Sequence, residues 1–284
     1  MRRWLVLVAG CWLLAAPKVQ AADVGVLVLA HGGTPQWNQT IEQTVAQAKL
    51  AYPTQIAFGM GMHEHEVAEL QRAIETLERG GASRIVVVPL LVSSASDVMR
   101  QLQYLLGLRD RGPWEAHAKP VKLRARLVMT PPLDDDPVVI DVLVARALEL
   151  SKSARGESVL VVAHGPVSDE DSARWLSVME RVAKRVQAIG HFRAVIPVTL
   201  RDDAPKRVQD DAAQHLRELV REQGEQGRVV VVPLLLSNGG IEEKIPQRLK
   251  WLSYVYKGQA LLPDPKLAQW IAHRVEAALK PPSS

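Results

Sequence analysis

The chain repeats its own sequence, and this duplication constrains the fold more than any other feature. The segment VLVLAHGG at 26–33 recurs as VLVVAHGP at 159–166, and IVVVPLLVSS at 85–94 recurs as VVVVPLLLSN at 229–238. A weaker third pair matches Asp136-Pro137 with Asp264-Pro265. Three matched segments in the same order indicate a tandem duplication, so we expect two similar halves.

Each copy alternates short runs rich in Val and Ile with segments of helical periodicity. This alternation is typical of βαβ units whose parallel sheet is covered on both faces. The sequence therefore predicts an α/β protein made of two tandem doubly wound parallel-sheet halves, over 22–152 and 157–284. The last strand of the second half is predicted near 259–262, and ligands are expected where the carboxyl ends of the strands gather.

The N-terminus is the only part of the chain that resembles a membrane span. Arg2 and Arg3 precede a short apolar stretch that ends in small residues, which predicts a signal peptide over 1–21 and a periplasmic or secreted mature chain. The single cysteine, Cys11, lies in this stretch, so a lipid-anchored form is the alternative and disulfides are excluded. Without the basic residues of 1–21 the chain is nearly neutral, so neither nucleic-acid binding nor an integral membrane fold is expected.

Two histidines directly follow predicted buried strands. His31 and His164 each come after an apolar run and before a glycine, at matched places in the two halves. A residue at the end of such a strand projects into the ligand crevice, and the glycine lets the backbone turn sharply. One such histidine often only caps a helix, but its recurrence in both halves favours a functional role.

Small polar loops follow the second matched segment in each half. They can offer hydroxyl and backbone N–H groups to anionic groups at a helix N-terminus. Asp97, in the first of these loops, is equally expected as a plain N-cap. The predicted substrate-binding residues are Ser93, Ser94, Ser237, Asn238 and Gly239.

The run MGMHEHE at 60–66 mixes thioether, imidazole and carboxylate groups, all of which are ligands for transition metals. A solvated helix start is the alternative interpretation. His63 and His65 could bind one ion only if this stretch is a loop. Elsewhere, the sequence contains no G-x-S-x-G elbow, Walker loop or Rossmann glycine pattern, which disfavours hydrolase, NTPase and dinucleotide-binding functions.

The strand-end AHG motif, the IVVVPLLVS segment after GGASR and the two-half layout together resemble the class II chelatases. The most similar group is the sirohydrochlorin cobaltochelatase and ferrochelatase family (CbiX-type), in its long two-domain form. The resemblance implies insertion of a divalent metal ion into a tetrapyrrole, with His31 as the strand-end histidine that works at the metal. The second histidine of the family falls on Asp97 here and on Ile241 in the second half. Glu64 is the candidate for the acidic partner.

Metal insertion needs residues of these types. Two pyrrole N–H protons must leave while the metal sheds water, so the site needs a neutral imidazole as ligand or base and carboxylates as further acceptors. The predicted catalytic residues are His31, Asp97 and Glu64, and the predicted metal ligands are His31, His65, Asp97 and His164. These nitrogen and oxygen ligands suit Co²⁺, Fe²⁺, Ni²⁺ or Zn²⁺, and no nucleotide is required.

The resemblance also implies a substrate with many carboxylates, for which Arg100, Lys244 and Arg248 are candidate partners. The sequence thus predicts a lyase-type chelatase that inserts a divalent metal, with cobalt favoured, into a sirohydrochlorin-like tetrapyrrole in cobalamin- or siroheme-type biosynthesis. His31 is expected to be essential and His164 secondary. Because the second family histidine is missing, a non-catalytic periplasmic carrier of metal or tetrapyrrole stays open. A binding protein whose halves close on a small anion is a third hypothesis.

Overall fold

The computed structural model describes residues 23–59, 63–109 and 118–280. The predicted signal peptide and Cys11 lie outside these ranges, as do the first three residues of the 60–66 run. Within the described ranges no helix is both long enough and apolar enough to span a bilayer.

The first half alternates strands and helices as the sequence predicts. Its elements are β1 Val24–Ala30, α1 Pro35–Gln47, β2 Thr54–Phe58, α2 Glu64–Arg79, β3 Arg84–Leu90, α3 Asp97–Leu105, β4 Arg126–Met129 and α4 Pro137–Leu150. A short 3₁₀ turn at Ala154–Gly156 then leads into the second half.

The second half repeats the same order of elements. They are β5 Glu157–Ala163, α5 Asp169–Gly190, β6 Ala194–Thr199, α6 Lys206–Gln226, β7 Arg228–Leu234, α7 Ile241–Arg248, β8 Val255–Tyr256 and α8 Pro265–Leu279. The prediction of a last strand near 259–262 is wrong, because the last strand is the two-residue β8. Leu261 and Leu262 are apolar for another reason, since both are fully buried in the core.

Each half contains one parallel four-stranded sheet, in the orders β2-β1-β3-β4 and β6-β5-β7-β8. The predicted fold class is therefore confirmed. The central strands β1, β3, β5 and β7 are continuous apolar runs because both of their faces are covered. In register, Ala30 at the end of β1 lies beside Phe58, and Ala163 at the end of β5 lies beside Thr199. The loops after β2 and β6 thus open next to the two strand-end histidines.

The two halves share one continuous apolar core that lies between the sheets. Helix α4 of the first half packs on α5 and β7 of the second, and α8 of the second half packs on α1 and β3 of the first. Each half therefore covers the sheet of the other with its last helix. Smaller clusters under α2 and α3, and under α6 and α7, cover the outer faces.

Two reciprocal ion pairs fix this exchange of helices. Asp136 and Asp264, the third matched pair of the sequence, are the N-caps of α4 and α8. Arg274 on α8 binds Asp136 at 2.6 Å, and Arg146 on α4 binds Asp264 at 3.4 Å. The same two-residue contact occurs twice with the halves interchanged, so the halves are related by an approximate two-fold axis.

Candidate functional site

The two strand-end histidines lie at matched positions beyond β1 and β5. His31 donates from Nδ1 to the carbonyl oxygen of Gly32 at 2.6 Å, because a carbonyl can only accept. A neutral His31 ring therefore presents its lone pair at Nε2. Behind His164, Gly165 adopts φ +77°, and a Cβ there would come within 2.6 Å of the Thr199 side chain. The sharp turn after β5 thus requires glycine.

His164 lies among charged side chains. Its Nε2 is 3.4 Å from Oδ2 of Asp203, yet this nitrogen is buried and forms no hydrogen bond within the described residues. Burial lowers the pKa of His164, and the positive charges of Lys244 and His31 lower it further, while the carboxylates of Asp203 and Asp202 oppose the shift. Since burial has the largest effect, His164 is held neutral near pH 7.

The first-half histidine lies beside a contact between the two halves. The ring of Trp37 on α1 lies 6.1 Å from that of His31, and a Cβ on Gly239 of the second half would come within 2.9 Å of Trp37. The loop before α7 therefore packs against Trp37, the aromatic neighbour of the first-half histidine.

The loop after β6 contributes functional candidates that sequence reasoning missed. Asp202 has a side chain that is only 3% exposed, and it forms ion pairs with Arg248 and, at 3.4 Å, with Lys244. Arg201, at φ +54°, donates its backbone N–H to the carbonyl of His164 at 2.7 Å. The available signal was topological, because β6 lies beside β5 and its loop must open beside His164.

The predicted first-half partners of His31 lie at the starts of two helices. Asp97 is the first residue of α3, and its carboxylate accepts from Arg100 at 3.1 Å and from Gln101 at 2.6 Å. Glu64 and His65 lie exposed on the first turn of α2. The rings of His63 and His65 stack at 5.7 Å.

The proposed ligands do not form a preassembled metal cluster. Over 23–59, 63–109 and 118–280, no group of three or more His, Cys, Asp or Glu side chains is arranged to hold an ion. The set His31, His65, Asp97 and His164 is therefore not gathered around one point. For a metal that is a substrate, an open site with few protein ligands is sufficient, since the ion has to leave it.

The loops predicted to bind substrate use most of their polar groups internally. Ser93 is buried and its hydroxyl accepts from the N–H of Ala95, while the N–H and hydroxyl of Ser94 both donate to Asp134. These hydrogen bonds shape the turn into α3. Direct contact of these two serines with a substrate stays a prediction.

The corresponding loop of the second half also uses its polar groups in hydrogen bonds within the chain. Asn238 donates to the carbonyl of Gly258 at 2.7 Å, and Ser237 is buried. The N–H groups of Gly239 and Gly240 both donate to the carboxylate of Glu242 at 3.0 Å. A carboxylate from the chain itself thus occupies the place where a substrate carboxylate was expected, and binding there also stays a prediction.

Two of the candidate partners for substrate carboxylates, Arg100 and Arg248, are engaged in ion pairs within the chain, so their contact with a substrate stays a prediction. Arg100 forms a bidentate pair with Asp171 of α5, at 2.7 Å for both bonds, and so joins α3 to the second half. Arg248 binds Asp202 and the carbonyl of Leu200. Lys244 is the one of the three predicted bases whose side chain is about half exposed (47%).

Comparison with known protein families identifies the chain. The CbiX family model matches it twice, at residues 25–150 and 158–278. Because the two matches cover most of the chain, it belongs to the CbiX family, as the sequence resemblance indicated. A comparison with curated protein sequences gives no significant match.

Solved structures show the same fold. SirB from Bacillus subtilis with Fe3+ is 20% identical, with a TM-score of 0.65 over 90% of this chain and 95% of that one. CbiX, described as the terminal enzyme for biosynthesis of siroheme in denitrifying bacteria, is 17% identical with a TM-score of 0.60, over 90% of this chain and 100% of its own. DR2241 from Deinococcus radiodurans, a multi-domain protein similar to chelatases, is 19% identical with a TM-score of 0.58, over 89% of this chain and 54% of its own. At these identities the likeness concerns the fold.

Proposed function

We propose that this protein is a metal chelatase that inserts a divalent ion, with Co²⁺ favoured, into a sirohydrochlorin-like tetrapyrrole. The observation that carries the proposal is the pair of histidines at matched strand ends of a CbiX-family fold. Both histidines provide imidazole nitrogens, which suit borderline transition metals. The reaction needs no nucleotide, because the metal–nitrogen bonds that form replace the metal–water and pyrrole N–H bonds that break.

His31 has the primary role in this proposal. Its Nδ1 is fixed by the carbonyl of Gly32, so Nε2 is directed by a rigid contact and can accept a pyrrole proton or contact the entering metal. Trp37, against the ring edge, keeps one side of His31 away from water and limits its rotation. Lys244, whose side chain is about half exposed, is the best remaining anchor for a substrate carboxylate.

The test is a spectroscopic chelation assay. Purified chain is mixed with sirohydrochlorin and Co²⁺, and the change in the tetrapyrrole absorption spectrum is followed against the spontaneous reaction. We expect catalysed turnover in the unaltered chain and in a His273→Ala control, which changes a histidine on α8. Parallel assays with Fe²⁺, Ni²⁺ and Zn²⁺ rank the metals. A rate equal to the spontaneous one for every metal rejects a chelatase function.

A second candidate is a non-catalytic carrier of metal or tetrapyrrole. It is favoured by one observation, that Asp97 replaces the second family histidine and is bonded to Arg100 and Gln101. The same assay separates the two functions. Stoichiometric binding of metal or tetrapyrrole, without turnover above background, supports the carrier.

We also propose that the protein acts outside the cytoplasm, on the basis of the basic and apolar residues of 1–21. Mass spectrometry of the mature chain from an exporting host tests this proposal. We expect Ala22 as the first residue. A lipid-modified Cys11 supports the anchored alternative, and a retained Met1 contradicts export.

A further inference from the structure

An open cavity of about 440 Å³ lies at the end of the second half that is opposite to His164. It forms between the 3₁₀ turn that precedes β5 and the C-terminal end of α5. Because β5 has seven residues, roughly 20 Å separate this end of the sheet from the strand-end histidine. The cavity is therefore separate from the proposed metal-insertion site. It is lined by Arg155, Lys184, Gln187, Ala188, His191 and Phe192.

The cavity is formed by a part of α5 that the first half lacks. Helix α5 has 22 residues, whereas its counterpart α1 has 13. Both helices start shortly after a strand-end histidine, so the additional turns are at the C-terminal end of α5. Lys184, Gln187 and Ala188 lie on these turns. Since α1 covers its sheet without such an extension, the extension is a candidate for a role other than support of the fold.

The cavity has an excess of positive charge. Arg155, Lys184 and His191 are exposed, and none of them forms an ion pair with a residue of 23–59, 63–109 or 118–280. Glu180 lies four residues before Lys184 on α5, at a spacing that favours an ion pair, yet the two do not pair. The carboxyl end of α5 contributes about half a negative charge, which is less than the two full charges of the arginine and the lysine.

His191 adopts a backbone conformation in which glycine is the preferred residue. It follows α5 at φ +55°, in the left-handed region that helix ends usually fill with glycine. Such backbone strain is concentrated at functional sites. Beside it, Phe192 is almost fully buried, and a Cβ on Gly190 would collide with its ring. The apolar part of the lining, Phe192 with Ala188, is therefore held in a fixed position.

We propose that this cavity binds a small organic phosphate. Arg155 and Lys184 bind the phosphoryl group, because a guanidinium offers paired N–H donors to phosphate oxygens and an ammonium adds a compact charge. A phosphate monoester carries nearly two negative charges near pH 7, which match these two cations. The ring of His191 donates a further hydrogen bond, and the organic part packs on Ala188 and Phe192. The binding is independent of the proposed chelatase function.

The test measures binding of phenyl phosphate to the full chain by calorimetry, without metal or tetrapyrrole. We expect one site with a Kd below about 1 mM. Inorganic phosphate should bind at least about fivefold more weakly, because it has no part that contacts the apolar lining. Arg155→Met and Lys184→Met should each weaken binding of phenyl phosphate by at least about tenfold. Arg185→Met is the matched control, because it removes a charge from the next residue of α5, which does not line the cavity. It should change the affinity by less than about twofold.

His191→Gly separates binding from folding. Glycine suits the left-handed backbone, so the urea midpoint should be at least that of the unaltered chain. The affinity for phenyl phosphate should nevertheless fall by about threefold, because a hydrogen-bond donor is lost. Unchanged affinity in this variant would exclude the imidazole from the site.

Two results would overturn the inference as a whole. If Lys184→Met binds phenyl phosphate as tightly as Arg185→Met does, the cavity is not the site. If inorganic phosphate binds as tightly as phenyl phosphate, only a general attraction of anions to positive charge is left. Because these measurements contain no metal and no tetrapyrrole, failure of the chelation assay does not affect them.

Phosphoryl groups occur both in soluble esters and in lipid headgroups, and a sedimentation assay distinguishes the two sources. Phosphatidylcholine vesicles are prepared with and without phosphatidic acid. We expect the chain to stay in solution with both, because the organic part of the ligand lies inside the cavity. Retention on phosphatidic acid that is lost in Lys184→Met and kept in Arg185→Met would overturn the soluble source and assign the phosphoryl group to a lipid.

Discussion

The two strand-end histidines occupy matched backbone positions but have opposite surroundings. His31 is fixed by the carbonyl of Gly32, lies against the aromatic edge of Trp37 and forms no ion pair within the described residues. His164 faces two carboxylates and a lysine. The duplication has therefore kept the strand ends and diversified what surrounds them.

The same divergence appears where the halves touch. Trp37 and Asp171 are matched residues near the start of α1 and α5, and each donates its backbone N–H to the N-cap side chain of its helix. Trp37 packs on Gly239 of the second half, whereas Asp171 binds Arg100 of the first. One of these contacts between the halves is thus apolar packing and the other is an ion pair.

The largest expected effect separates the two histidines. His31→Ala should lower the maximal insertion rate by about 10³-fold, because a positioned acid or base contributes on that scale. His164→Ala should lower the rate by about 10- to 100-fold, as expected for a supporting group. Initial rates over a metal titration, at equal folded content, measure both. Near-full activity of His31→Ala beside an inactive His164→Ala would assign the essential role to the second half.

The next effect concerns the glycines that follow the histidines. Gly165→Ala should cost about 2–4 kcal/mol of unfolding free energy, because it combines a left-handed backbone with a close approach to Thr199. Gly32→Ala, whose added Cβ would have no heavy atom nearer than 3.5 Å, should change stability by less than about 1 kcal/mol. Urea unfolding of both variants makes the comparison. Equal losses of unfolding free energy in the two variants would mean that both turns require glycine to the same degree.

A smaller effect distinguishes the matched bases Arg100 and Lys244. Arg100→Met leaves Asp171, with a side chain that is 7% exposed, without its main partner, so we expect a loss of about 2 kcal/mol. Lys244→Met should cost less than about 1 kcal/mol, because Arg248 still pairs with Asp202. The measurement is again the urea midpoint. A loss for Lys244→Met as large as that for Arg100→Met would show that both pairs support the fold equally.

The fold could be predicted from the sequence because its signals are local. The apolar runs of β1, β3, β5 and β7 and the repeated AHG motif determined the strands and placed His31 and His164 at their ends. The error near 259–262 arose because Leu261 and Leu262 are apolar for core packing, and an apolar run alone does not distinguish a strand from a buried loop.

The surroundings of the site were harder to predict because they depend on contacts between distant segments. Asp202 and Asp203 look like solvated acids before a helix, and only the placement of β6 beside β5 brings them to His164. Arg100 looks like a free base on a helix start, but its partner Asp171 belongs to the other half. Composition and periodicity contain no information about such pairings.

The smallest expected effect is a pH dependence of the Arg100–Asp171 contact. The hydrogen bonds from Arg100 lower the pKa of Asp171 below its usual value of 3.8. A carboxyl group with a lowered pKa stabilises the fold above its unfolded-state pKa, and this contribution disappears as the pH falls through the folded-state pKa. The stability difference between the unaltered chain and Arg100→Met should therefore be constant from pH 7 to about 5 and narrow by about 1 kcal/mol below roughly pH 4.

Urea midpoints of both chains at several acid pH values test this dependence. Other carboxylates with lowered pKa values, such as Glu157 and Asp135, are present in both chains, so their titration cancels in the difference. The remaining change reports on the carboxylates that contact Arg100, which are the buried Asp171 and the more exposed Asp97. If the difference stays constant throughout the acid range below about pH 4, the ion pair is not what joins α3 to α5, and the asymmetry between the two contacts has to be sought in packing alone.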